Sequence, residues 1–313
     1  MNTVKTHCLS PLRLRALICA MLGAILFFLN VAPTFASNDN RARAGESSEV
    51  SMSDKLPFTA NEQLTYSAEF SRSVLRGIDI AELRFAAQKQ ETPIAAHNPQ
   101  DAKGATGSPI KKQAAVFHFS CDVSSKSWFQ RLFNLTFRLS MKSLVDAGTF
   151  AVARTFRLEE QGKRRRESEA VFDRTENLVT WTERNPVEPD KPPRVVRTPL
   201  QGASQDLLSV FYYLRMQPLK PGTRTEVALS DSGQIYRVPL TIGNRSKLKT
   251  VLGEIPVVEV KAEMFGEGRP LRGKGTMTLW FSDDARHVPV RARIKSDDGT
   301  LDIKLKQMKN DDE

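Results

Sequence analysis

Beyond residue 56, apolar and polar side chains alternate one for one through most of the chain, the period of a strand with one buried face. The alternation is cleanest at Ala115, Phe117, Phe119, Cys121 and Val123, with Val116, His118, Ser120 and Asp122 between them. Leu64, Tyr66, Ala68 and Phe70 share one face of an earlier segment, and Leu135, Phe137, Leu139 and Met141 one face of a later one. Segments 78–87, 150–160, 164–173 and 178–183 continue a meander, with turns at Gln161-Gly162 and over 173–177. Around Ala81 and Glu82 the phase slips by one residue, which predicts a bulge. Further strands are predicted over 224–229, 235–242, 255–264 and 300–306, the last with Leu301, Ile303 and Leu305 on one side.

The strongest local signal is a hairpin over 269–293. Thr276, Thr278 and Trp280 alternate with Met277, Leu279 and Phe281, the pattern breaks at Ser282-Asp283-Asp284-Ala285-Arg286, and it resumes from His287. Pro289, which has no N–H to donate, marks the second arm as an edge or bulge position. Helices are few. Leu207, Leu208, Phe211 and Leu214 form a stripe within 204–216, with Ser204 as N-cap, Asp206 in the first turn, and Pro218 and Pro221-Gly222 ending it. Trp128, Phe129, Leu132 and Phe133 have helical spacing within 124–133, a short helix or an aromatic flap. The fold class is therefore mainly β: a large antiparallel sheet, curled or partly closed into a barrel to limit its edges, with one or two short helices.

The N-terminus differs in kind. Lys5, Arg13 and Arg15 precede an uncharged apolar run, Ala16 to Leu29, followed by Pro33 and the small-residue ending Thr34-Phe35-Ala36. This reads as a secretory signal peptide over 1–36, cleaved after Ala36, since the run falls short of the roughly 20 residues a spanning helix needs. Residues 37–55 are polar and read as a disordered leader. A single β-rich domain follows over 56–308, interrupted at 88–113 by a Pro-, Gly- and Ala-rich insert that contains His97, and 309–313 form a tail. Taking 36 residues and three cations from the 313 residues and 46 cations leaves 277 residues with 43 cations against 36 anions. Cys8 and Cys19 leave with the signal, so Cys121 has no internal disulfide partner and reads as a small buried hydrophobe. The expected address is the periplasm, with no transmembrane span after cleavage.

Candidate chemistry is sparse. His118 and Cys121 stand three apart on a strand and so face opposite ways, which excludes a Cys–His dyad there. Gly202-Ala203-Ser204-Gln205-Asp206 lacks the final glycine of a nucleophile elbow, and the glycines at 266, 268, 273 and 275 make no phosphate loop. His287 near Asp283 and Asp284 could form an acid–base pair, although turn carboxylates more commonly cap backbone N–H groups. No catalytic residue, metal site or cofactor is assigned, and no nucleic-acid motif is present. Two features remain for binding. Lys163, Arg164, Arg165 and Arg166 could contact an anionic surface, although Glu167 and Glu169 follow them. Phe117, Phe119, Phe137, Leu139 and Phe172, with Val238 and Leu240, could line an apolar cavity, but periodicity does not separate a cavity from a packed core.

Several pieces together resemble the DUF3108 family of exported bacterial proteins. They are Pro57-Phe58 with Glu62 to Tyr66, Gly162-Lys163 with Arg165 to Glu167, Val171 to Asp173, Gln205-Asp206, Tyr212 to Arg215, and Leu219 to Gly222. The most specific is Gly273 and Gly275 through Trp280, Asp283, Asp284, Arg286, Pro289 and Arg291, expected to specify fold rather than chemistry. The resemblance implies an exported β-rich protein and brings no activity with it; the shape is also similar to periplasmic lipoprotein carriers of the LolA/LolB type, by fold alone. The leading expectation is a non-enzymatic cell-envelope protein binding a lipid-like or anionic envelope ligand. The alternatives are a packed adaptor without a ligand and, third, an envelope hydrolase.

Overall fold

The structure, a computed structural model, describes residues 56–73, 75–92, 114–133 and 136–310. The stretches read as signal and leader, most of the 88–113 stretch read as an insert, with His97, and the last three residues of the chain lie outside these. Fifteen strands form one sheet: β1 (Gln63–Arg72), β2 (Leu75–Thr92), β3 (Ala114–Ser125), β4 (Phe137–Asp146), β5 (Val152–Gln161), β6 (Arg164–Asp173), β7 (Leu178–Arg184), β8 (Arg194–Pro199), β9 (Gln205–Asp206), β10 (Arg224–Asp231), β11 (Gln234–Thr250), β12 (Gly253–Ala262), β13 (Gly275–Ser282), β14 (Pro289–Ser296) and β15 (Gly299–Lys309). In space β1 pairs with β15 at the centre, β2 to β8 follow outward on one side, and β14 back to β9 on the other. All pairings are antiparallel except the short β9–β10 ladder.

The sheet is not closed by a ladder, since β8 and β9 are its edges. It curls until side chains bridge the gap. The Thr198 hydroxyl on β8 donates to the Gly233 carbonyl in the β10–β11 turn at 2.6 Å, and Arg157 on β5 lies 3.0 Å from Asp231 at the end of β10. The Ser143 hydroxyl on β4 donates to the Asp206 carboxylate on β9. Gly233, at φ +79°, makes the approach possible, because a Cβ there would stand 2.7 Å from that of Val196.

Several expectations are met in detail. The Ala81 phase slip is a register shift opposite Ala68 and Glu69, with Ile80 and Ala81 both buried. Of the two positions expected for Pro289, edge or bulge, it takes the bulge: its hairpin is β13–β14, and β14 lies between β13 and β15. The missing proline N–H is accommodated there, where Trp280 pairs with Arg291 but Phe281 with Pro289. Others need correction. β2 runs on to Thr92, inside the stretch read as an insert, because its ladder with β3 continues that far. β11 extends well past Ile242 to Thr250 across another register shift, and β8 and β9 were not foreseen.

Two short helices complete the fold, α1 (Ser127–Phe133) and α2 (Ser209–Arg215). α2 begins five residues later than the stripe suggests. Gln205 and Asp206 are drawn instead into the parallel bridge with Leu229 and Ser230, and the Ser204 hydroxyl bonds the Gln201 carbonyl rather than capping the helix. Asp206 does the capping from β9, accepting from the backbone N–H of Leu208 at 2.7 Å and of Ser209 at 2.9 Å. Burial raises this carboxyl above its usual value, opposed by the Ser143 hydroxyl and those N–H groups.

At the sheet centre, Asp302 on β15 receives Arg291 Nε at 2.6 Å and Arg293 Nη2 at 2.9 Å from β14. Burial alone would raise the Asp302 carboxyl, but the hydrogen bonds from Arg291 and Arg293, reinforced by their charges, hold it below its ordinary 3.8. The folded state thus binds this proton at lower pH than the unfolded chain. Its stabilisation is complete above the ordinary value and is lost as pH falls through the lowered one. Asp302→Asn should therefore flatten the acid limb of a Tm–pH profile below about pH 4.

Candidate functional site

The strand registers define two ends of the curled sheet. The upper end carries the β4–β5, β6–β7, β11–β12 and β13–β14 turns; the lower end carries the β5–β6, β10–β11 and β14–β15 turns, the β7–β8 loop and α1. Near the top, Phe58, Phe117, Phe119, Phe150 and Tyr212 pack as one aromatic group. Tyr212 stacks on Phe119 with centroids 3.9 Å apart, and Phe58 meets Tyr212 edge-on at 5.1 Å.

Below this group the interior is not filled. An apolar cavity of about 190 Å³ lies between β2–β4 on one wall and β10–β15 on the other, roofed by Leu207, Leu208, Val210, Phe211 and Leu214 of α2 and its approach. Leu83, Phe85, Cys121, Val123, Leu139 and Met141 form the first wall, and Val238, Leu240, Met277 and Leu279 belong to the second. Every lining side chain is apolar. A smaller hollow of about 50 Å³ shares Leu83, Phe85, Phe211, Leu279 and Ile303 with it and adds Tyr66, Tyr212, Arg215 and Arg291. Tyr66 donates to the Pro289 carbonyl at 2.8 Å, whereas the buried Tyr212 hydroxyl has no hydrogen-bond partner among the described residues. Burial holds the Tyr212 hydroxyl protonated, well above its usual pKa, and does the same for the Cys121 thiol.

Of the five residues expected to line a cavity, Leu139 does. Phe117 and Phe119 belong to the aromatic group above it, and Phe137 and Phe172 are buried in the same cluster without touching the hollow. Val238 and Leu240 do line it. Cys121 points inward with them, as the alternation requires.

The roof helix is anchored by a group that alternation did not reveal. Arg215, at the end of α2, and Glu62, just before β1, form a bidentate ion pair in which both side chains are 1% exposed. Arg215 also donates to the Pro57 carbonyl at 2.6 Å and the Arg286 carbonyl at 3.0 Å, and its guanidinium lies over Phe58. Its own carbonyl is bonded by His287 Nδ1 at 2.8 Å. One side chain thus ties the entry segment, the roof and the β13–β14 turn together. A signal for it was present: Leu208, Tyr212 and Arg215 fall at i, i+4 and i+7, which puts a cation on the buried stripe.

The hairpin residues hold shape. Asp284 accepts from Ser282 at 2.7 Å and from the Arg286 side chain at 3.0 Å, and Asp283 pairs with Arg245 at 2.6 Å. The acid–base pairing considered for His287 does not form, because its ring is turned to the Arg215 carbonyl. Trp280 is covered by Arg291 and Arg293, at 5.4 and 5.8 Å. Gly273 takes φ +79°, and a Cβ on Gly275 would stand 2.6 Å from the Lys295 carbonyl oxygen. Lys163 to Arg166 span the β5–β6 turn at the lower end, with Arg165 3.4 Å from Glu167 and Arg166 3.9 Å from Glu183. Among the described residues, no three His, Cys, Asp or Glu side chains are grouped to hold a metal, and no helix is long and apolar enough to cross a membrane.

The fold and its interior define a barrel-like shell, one curled sheet around an apolar hollow under a helical roof. The chain belongs to the family described as protein of unknown function (DUF3108), whose model matches residues 104–306. The match leaves out Pro57 to Tyr66, which the Arg215–Glu62 pair binds to the matched part. Among solved structures, a β-barrel-like protein of the DUF1849 domain of unknown function from Brucella abortus is similar at 9% identity and a TM-score of 0.48, over 81% of this chain and 99% of that one. A protein described as exported, with a YmcC-like fold, from Bacteroides fragilis is similar at 9% identity and a TM-score of 0.30, over 82% of this chain and 98% of that one. No curated protein matches the chain.

Proposed function

We propose that the protein is a non-enzymatic binding protein of the bacterial envelope whose apolar cavity holds one acyl chain or similar lipid-like group. The observation that carries this reading is the cavity itself. A hollow of about 190 Å³ leaves apolar side chains without packing partners, at a cost that grows with the volume left empty, so a tenant that fills it is the physically economical account. A uniformly apolar lining suits hydrocarbon and excludes water, which needs polar partners to enter. The Tyr212 hydroxyl bordering the smaller hollow adds one unfilled donor, suited to an ester or carboxyl oxygen at the end of such a chain. The N-terminal pattern over 1–36 supports export to the periplasm.

The reading is tested by titrating delipidated protein with a fluorescent polyene fatty acid. Saturable binding near one equivalent, reversed by saturated fatty acids of matching length and not by benzoate, is the expected result. Binding that never saturates would place the probe on the surface and count against the cavity.

A further inference from the structure

The lower end of the sheet carries a concentration of positive charge that the fold pairs only in part. From the β5–β6 turn come Lys163, Arg164, Arg165 and Arg166. The neighbouring β7–β8 loop brings Arg184, Lys191 and Arg194 to the same groove, an open hollow of about 440 Å³. Glu183 and Glu188 are the two carboxylates in its wall, so the lining is seven cations against two anions. At the sheet centre, by contrast, Arg291 and Arg293 share Asp302, and Lys304 meets Glu69 at 2.5 Å. In the groove, Lys191 is 2.9 Å from Glu188, Arg165 3.4 Å from Glu167 and Arg166 3.9 Å from Glu183, but among the described residues Lys163, Arg164 and Arg184 have no carboxylate within ion-pair distance. Like charges gathered in one groove repel, and an entering anion relieves that repulsion.

The chemistry of the groove narrows the anion. Guanidinium forks match the paired oxygens of phosphate, and an open, wet setting favours a headgroup over an apolar chain. Val187, on the same loop, is 63% exposed, and Trp128 is 43% exposed on α1, which connects the lower ends of β3 and β4. Exposed apolar and aromatic side chains beside unmatched cations, all at one end, are the composition of a surface seated at a bilayer interface.

We propose that this groove binds the phosphate of anionic phospholipid headgroups and so docks the lower end of the sheet on an anionic bilayer. The proposal stands on the groove alone and does not require the interior cavity to be occupied.

The test uses protein expressed from the full reading frame, purified from the soluble fraction, with its N-terminus fixed by intact mass. Co-sedimentation with vesicles of mixed phosphatidylcholine and phosphatidylglycerol is compared with phosphatidylcholine alone. The combined variant Lys163→Gln, Arg164→Gln, Arg184→Gln is set against Arg224→Gln, Lys247→Gln, Lys249→Gln, which removes the same charge from exposed positions on β10 and β11. All six side chains are exposed, and unchanged Tm in both variants verifies folding. Partition to the anionic vesicles should fall on the order of 100-fold at low salt in the first variant and only several-fold in the second. Equal losses in the two variants would reduce the effect to net charge and overturn the proposal. So would absence of binding to anionic vesicles, or groove-specific NMR shifts with inorganic phosphate in protein that ignores those vesicles.

Discussion

Replacing Arg215 with methionine will cost the fold about 3–5 kcal/mol, measured as the loss of unfolding free energy in urea. The guanidinium satisfies the Glu62 carboxylate and the Pro57 and Arg286 carbonyls at once, in a site with 1% exposure. Removing it leaves Glu62 buried without a counter-charge, the expensive half of breaking an interior ion pair. The double variant Glu62→Leu, Arg215→Met removes that stranded charge and should recover more than half of the loss, since a well-packed apolar pair can match a buried ionic one. A double variant no better than the single would mean that the carbonyl contacts, rather than the carboxylate, dominate.

Val238→Phe should raise stability and abolish binding together. Val238 is buried and lines the cavity from β11. The added ring atoms fill empty space, and ligand-free protein should gain about 1 kcal/mol. The same atoms occupy the volume the ligand needs, so probe affinity should fall at least tenfold, the scale of 1.4 kcal/mol. A packed core answers with the opposite sign on stability: overpacking costs about 1–3 kcal/mol. The pair of measurements therefore separates the lipid-binding reading from the packed adaptor, which alternation alone left open.

The sheet was legible because strands with one wet face write their burial into a period of two. Phe117, Phe119, Cys121 and Val123 are all buried, and β6 has the bounds its alternation suggested. The β13–β14 hairpin was legible for the same reason, with the Asp-rich turn where the pattern broke. Legibility failed where contacts distant in sequence override local pattern. The stripe from Leu207 to Leu214 predicted a longer helix, but pairing with β10 claims Gln205 and Asp206 first. β8 has an outward valine and two arginines because it is an edge, so it carries no apolar face to read. The cavity was half legible: alternation says which side chains point inward, and only the curl of the sheet decides which of them meet. That is why Leu139 borders the hollow while Phe117 and Phe119 stack above it. The basic groove was visible as Lys163 to Arg166, but its other wall, Arg184, Lys191 and Arg194, is assembled by the β7–β8 loop some twenty residues later.

Native mass spectrometry of the protein purified without detergent or organic solvent tests the central claim most directly. The predicted spectrum holds a population heavier than the bare chain by one lipid-like molecule, which organic extraction removes and which Val238→Phe protein lacks. A folded protein that carries no such adduct, and gains none when incubated with fatty acids or phospholipids, would contradict the account.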